Sequence, residues 1–186
     1  MNPAIAPGDA RARRLLSLTG FMGCGKSTVA RLLARQIGWH HADLDKRIVE
    51  RAALTIPEIF AQFGEPAFRQ IEHEELGRIL GEAFEQGKAT IVSLGGGTTA
   101  QSHNLTLLRQ SGSALVWLCC PIEELLRRCA RITNRPLFQD ESSFRQLYAQ
   151  RLPSYELADY RVDGTVEPLR VVEQILALGI LERVPA

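Results

Sequence analysis

Residues 20–28 read GFMGCGKST: three glycines, one lysine and two hydroxyls in nine positions. The short apolar run Leu15-Leu16-Ser17-Leu18 precedes them, and Val29-Ala30-Arg31-Leu32-Leu33-Ala34 follows. A strand that ends in so much backbone freedom and reopens as a helix at Lys-Ser-Thr is suited to receive an anion. The spacing Gly20-x-x-x-x-Gly25-Lys26-Ser27 fits the phosphate-binding loop in full. Its glycines let consecutive N–H groups turn inward, and the helix beginning at Lys26 adds its positive N-terminal end. Met22, Gly23, Cys24, Gly25, Lys26, Ser27 and Thr28 are therefore the candidate cradle for the phosphates of ATP. Lys26 can reach the β/γ-phosphates, and the Ser27 hydroxyl can ligate Mg²⁺. A dinucleotide fingerprint is a poorer match, because Thr28 stands where a third glycine is wanted.

Around this loop the chain has one domain's worth of residues, 186, with an apolar share of 45% that supports a sizeable core. A net charge of +1 offers no basic surface for nucleic acid or an acidic membrane. No apolar run approaches the ~18–20 residues needed to span a bilayer. Residues 1–13 lack the apolar segment of a secretory signal and read as a flexible leader. Of the four cysteines, Cys24, Cys119, Cys120 and Cys129, none forms a Cys-x-x-Cys pair. That pattern suits reduced thiols in the cytoplasm better than a disulfide frame or a zinc site.

Short β-like runs alternate with helical stretches. Strands are expected at 14–19, 40–43, 89–94, 114–119 and 160–162; the third and fourth are near-continuous apolar runs, as buried parallel strands require. A helix follows the glycine loop to about residue 38, and another closes the chain at 168–178. This alternation predicts an α/β fold, a parallel sheet with helices on both faces. Residues 44–87 break the rhythm with three expected helices, 45–51, 55–63 and 65–86, the second opening at Thr55 with Pro57 in its first turn. Three helices exceed a simple crossover and read as an inserted subdomain.

At the end of the second strand, HHADLDKR places Asp43 and Asp45 at the sheet edge where such folds bind ligands. One carboxylate can serve the metal and nucleotide while the other faces an acceptor. The guanine-reading Asn-Lys-x-Asp and the Asp-x-x-Gly of GTP switches are both absent, so a small-molecule kinase is the simpler reading. His73-Glu74 lacks the second histidine of a zinc protease, since position 77 is glycine.

Taken in order, GFMGCGKSTVARLLA, DLD, IFAQFGEPAFRQIE, LGGG, RPL and RLPSYELAD resemble shikimate kinase over roughly residues 16–163. The resemblance implies a P-loop three-layer α/β/α fold with a five-stranded parallel sheet, a helical substrate-binding insert (44–87) and a lid (132–144) within one kinase domain (14–186). It implies transfer of the ATP γ-phosphate to the 3-hydroxyl of shikimate, on the way to chorismate and the aromatic amino acids. Mg²⁺ is the implied metal, with Ser27 and Asp43 as its side, and Lys26, Asp43 and the lid residue Arg135 as catalytic. Shikimate would meet Asp45, Arg69, Arg151 and the backbone of Gly95, Gly96 and Gly97. Glu72, one helical turn from Arg69, can orient it, and Phe60 and Phe68 fit a wall beside the ring. Arg128 or Arg131, with Pro168 opposite, are the adenine candidates. A monomer without nucleic-acid or membrane partners is expected. Thr98-Thr99-Ala100 departs from the small-residue–valine continuation expected after the glycines. Another small-molecule kinase, such as a gluconate or nucleoside-monophosphate kinase, and a non-catalytic nucleotide-binding module remain the alternatives.

Overall fold

The apolar runs fold as strands because each is buried on both faces. The computed structural model describes residues 13–130 and 140–182. In it β1 (Leu15–Thr19), β2 (His40–Asp43), β3 (Thr90–Ser93), β4 (Ala114–Cys119) and β5 (Tyr160–Asp163) form one sheet in the order β2-β3-β1-β4-β5. Every neighbouring pair is parallel. Residues 89 and 94 extend β3 at its ends: His40 N–H donates to Ala89 O at 2.9 Å and Leu94 N–H to Leu18 O at 3.1 Å. The leader up to residue 12 and the lid up to residue 139 lie outside the described residues.

Helices cover both faces, giving the three layers the sequence predicts. Leu16 and Leu18 of β1 join a core with α1 (Lys26–Ile37) and α7 (Pro168–Ala177). Val92 and Leu94 on the other side pack with α2 (Leu44–Ala52), α3 (Ile56–Glu85) and α4 (Ser102–Gln110). β1 turns hydroxyls to that second face, and each finds a partner: Ser17 with Ser113 at 2.8 Å, Thr19 with Thr99 at 3.1 Å. Buried hydroxyls paired in this way cost the core little.

Between β2 and β3 the chain is all-helical, as expected. Thr55 and Glu58 close a capping box at the start of α3, with Thr55 N–H donating to Glu58 Oε2 at 2.7 Å. The two expected helices at 55–63 and 65–86 run as one element bent at Gly64, whose φ of 77° is left-handed. Pro66 follows in the first turn beyond the bend, where its missing N–H would have had no intrahelical acceptor. α5 (Ile122–Cys129) and α6 (Glu141–Tyr155) follow β4.

Register decides what lies side by side at the carboxyl edge. Asp43 of β2 pairs with Ser93 of β3, and Ser93 with Leu18 of β1. Three strands thus end abreast, and each runs directly into one of the candidate site segments.

Candidate active site

The glycine loop follows β1 and opens α1. Gly25 is the N-cap of that helix at φ 97°, a conformation that favours glycine, and no side chain caps the helix end. The first-turn N–H groups therefore face outward for an anion. Lys26 Nζ meanwhile donates to Gly20 O at 2.7 Å and Phe21 O at 3.1 Å, folded over the loop it belongs to. Cys24 is buried in the core, its N–H donating to Phe21 O at 3.3 Å. Its thiol fills space beneath the loop, because a methyl on Gly20 would come within 2.9 Å of Cys24 Sγ.

Asp43 is fixed from three sides. Its side chain caps α2, accepting from Lys46 N–H at 3.1 Å, and accepts from Ser93 Oγ at 2.9 Å. Burial would raise its pKa, but hydrogen bonds from the Ser27 hydroxyl, Lys46 N–H and the Ser93 hydroxyl more than offset this and hold it below the ordinary carboxylate range. Ser27 and Asp43 thus bring two hard oxygen donors, one ionised, to the end of the loop. That donor set fits Mg²⁺, which takes few protein ligands and completes its shell with water and phosphate. Among the described residues no group of three His, Cys, Asp or Glu could cage a metal alone.

The acceptor side is built around Gly95-Gly96-Gly97. Here glycine is needed for room. A methyl on Gly97 would come within 2.9 Å of Arg69 Nη2 and 3.2 Å of Arg151 Nη2; one on Gly95 would come within 2.9 Å of Asp45 Oδ1. Asp45, Arg69 and Arg151, which lie on α2, α3 and α6, therefore converge on three consecutive glycines. Those glycines touch the donor loop as well, since a methyl on Gly96 would stand 3.5 Å from Met22 N.

The two arginines differ in their surroundings. Arg69 Nη1 donates to the buried Glu72 at 2.9 Å, and its Nε and Nη2 reach Glu65 at 3.1 and 2.9 Å. Burial lowers its pKa, yet Glu72 and Glu65 together hold it above the ordinary value. Arg151 has no ion pair with a carboxylate among the described residues. Burial is the main cause of its lowered pKa; the Tyr155 partner opposes this and the Arg69 charge adds to it. It lies over the Phe21 ring at 5.7 Å. Phe60 and Phe68 pack with centroids 4.6 Å apart, with Arg69 beside Phe68.

Tyr155, Ser93 and Thr98 have positions in the site that the sequence reading missed. Tyr155 OH donates to Gly96 O at 2.5 Å and bonds Arg151, one helical turn before it on α6. That i, i+4 spacing was the available signal. Arg128 donates to Glu124 at 2.7 Å and to Thr165 O at 2.9 Å, beside the turn that leads to Pro168. Arg131 and Arg135 fall outside the described residues.

A family model for shikimate kinase matches residues 22–178. A shikimate kinase of Geobacter metallireducens is 41% identical over 174 residues, 91% of this chain and 92% of that one. A shikimate kinase of Chlorobium chlorochromatii is 38% identical over 181 residues, 87% of this chain and 92% of that one. The solved structure of a shikimate kinase from Acinetobacter baumannii in complex with shikimate superposes with a TM-score of 0.79 at 35% identity, covering 88% and 90% of the two chains.

Proposed function

Because this chain belongs to the shikimate kinase family, we propose a division of labour among its residues for that family's reaction. The enzyme transfers a phosphoryl group from ATP to the 3-hydroxyl of shikimate, giving shikimate 3-phosphate and ADP, a step of aromatic amino-acid biosynthesis. It is a phosphotransferase acting on an alcohol group.

One observation carries the assignment of the acceptor pocket. Arg151, a largely enclosed cation without a carboxylate ion pair among the described residues, lies beside Arg69 over Gly97. Two guanidiniums at one point match a carboxylate, and shikimate is a carboxylic acid with three hydroxyls. Asp45, across Gly95, accepts hydrogen bonds from those hydroxyls. The N–H groups of residues 22–28 hold the ATP phosphates, and Lys26 leaves the Gly20 and Phe21 carbonyls for the β/γ-phosphate oxygens. Ser27 and Asp43 would hold Mg²⁺, which when bound would supply positive charge to the phosphates. Asp43, kept ionised by its three hydrogen bonds, orients the incoming hydroxyl without taking its proton in the ground state. This suits a loose transition state in which positioning and electrostatics carry the catalysis. By the family resemblance Arg135 supplies positive charge to the transferring group, and Arg128 serves adenine.

A nucleoside monophosphate acceptor would need more basic residues around its phosphate and a pocket for its base. We further assign a monomer acting in the cytoplasm, without nucleic-acid or membrane partners. The near-neutral charge offers no surface for nucleic acid, and four cysteines without a Cys-x-x-Cys pair suit the cytoplasm; among the described residues no helix is long and apolar enough to cross a membrane.

Calorimetric titration of shikimate tests the pocket. Arg69→Ala and Arg151→Ala are each expected to weaken shikimate Kd by roughly ten- to a hundredfold, the loss of a charge-assisted contact, with ATP affinity nearly retained. An unchanged shikimate Kd in both variants contradicts the assignment.

A further inference from the structure

Thr98 opens the stretch Thr98-Thr99-Ala100 at which the sequence leaves the expected pattern after the glycines, and its surroundings give it a role. Its hydroxyl is fully buried and donates to Glu72 Oε1 at 2.7 Å, while the other oxygen of Glu72 accepts from Arg69 at 2.9 Å. Its carbonyl accepts from Asn104 Nδ2 at 3.2 Å. A carbonyl can only accept, so the Asn104 amide oxygen faces away, toward His73 Nδ1 at 2.7 Å. His73 must therefore carry a proton on Nδ1. Glu72 and His73 are neighbours on α3, whereas Thr98 and Asn104 belong to the 3-10 turn Thr98–Ala100 and to α4. The four residues close a ring, through the Thr98 carbonyl and the Glu72–His73 backbone, that fastens the arginine-bearing helix to the end of the Gly95–Gly97 segment.

We propose that Thr98, backed by Asn104 and His73, is a positioning residue for shikimate: it fixes the Glu72 carboxylate, which in turn fixes the Arg69 guanidinium over Gly97. This rests on the acceptor pocket assigned above and goes beyond it by naming what sets the pocket's shape. A buried carboxylate with a single partner is free to turn about its own side chain. With Thr98 and Arg69 on separate oxygens, it is not. The donor loop takes no part in the ring, so its effect is confined to the acceptor. Asn104 is also fully buried, and its side-chain oxygen and nitrogen both bond within this ring.

Steady-state kinetics of the full chain test the idea, using shikimate and ATP as varied substrates. Thr98→Val keeps the shape and removes the donor; shikimate KM is expected to rise by about tenfold, the scale of one hydrogen bond to a charged group. The KM for ATP and kcat at saturating shikimate should stay within about twofold. Thr98→Ser should restore most of the shikimate KM. His73→Phe, at a partly exposed position, should give a smaller rise of about twofold to threefold through the loosened Asn104, and it carries the test if Thr98→Val does not fold. An unchanged shikimate KM in both Thr98→Val and His73→Phe overturns the proposal, as does a parallel rise in the KM for ATP or a failure of Thr98→Ser to rescue. If the wild-type chain releases no ADP in response to shikimate, the acceptor assignment itself has failed, whatever the variants do.

Discussion

Asp43 illustrates how one residue serves structure and chemistry together. It caps α2, bonds Ser93 across the sheet edge and receives the Ser27 hydroxyl. Its folded pKa lies below the unfolded value of about 3.9, so its contribution to stability is complete above that pH and is lost as pH falls through the folded pKa. Wild-type protein is therefore expected to exceed Asp43→Asn in urea midpoint by a constant margin from about pH 8 to pH 5, with the margin narrowing below about pH 4. A margin that widens on acidification contradicts the assignment of hydrogen bonds to the ionised form. Lys26, Ser27 and Asp43 were legible in the sequence because their chemistry is local to one loop and one strand end. The Thr98 bond to Glu72 and the Tyr155 bond to Gly96 were not, because those partners stand 26 and 59 residues away. No short motif records such a contact. Cys24 was read as a member of the cradle, and its side chain proves to belong to the core beneath it.

At the scale of elements, α2 and α3 are held together by charge as well as by apolar packing. Arg47 on α2 donates to Glu75 at 2.9 Å and bidentately to Glu82 at 3.0 and 2.8 Å, and Arg51 reaches Glu74 at 2.9 Å. Glu75 is buried, so removing Arg47 leaves its carboxylate with Arg51 alone at 3.5 Å. Arg47→Met is expected to destabilise the fold by roughly 1–3 kcal/mol, read as a lowered urea midpoint. The figure lies below that of a fully buried pair because the Arg47 side chain is 31% exposed. A midpoint equal to wild type removes this network from the list of what positions Asp45 and Arg69, which sit on the same two helices. Element types were legible because the strands are near-continuous apolar runs and Thr55 and Glu58 mark a helix start. The bend at Gly64 joins two expected helices into one, a matter of backbone angle that glycine permits and the sequence alone does not settle.

For the whole molecule, the organising fact is that β2, β3 and β1 end abreast. Asp43 and Asp45, the three glycines, and the phosphate loop are carried by three neighbouring strands, while Arg69 and Arg151 reach in from α3 and α6 on either side. The alternation of strands and helices in the chain was enough to expect a parallel sheet. Strand order and register were not readable from residue chemistry, because continuous apolar strands fit several orders equally well. The central claim is that this edge joins an ATP half-site to a half-site for shikimate. A coupled ADP-release assay with ATP, Mg²⁺ and shikimate, gluconate or a nucleoside monophosphate tests it most directly. ADP release stimulated by shikimate and left at background by the other two is the predicted result. Release indifferent to shikimate but stimulated by gluconate or a nucleotide would contradict it.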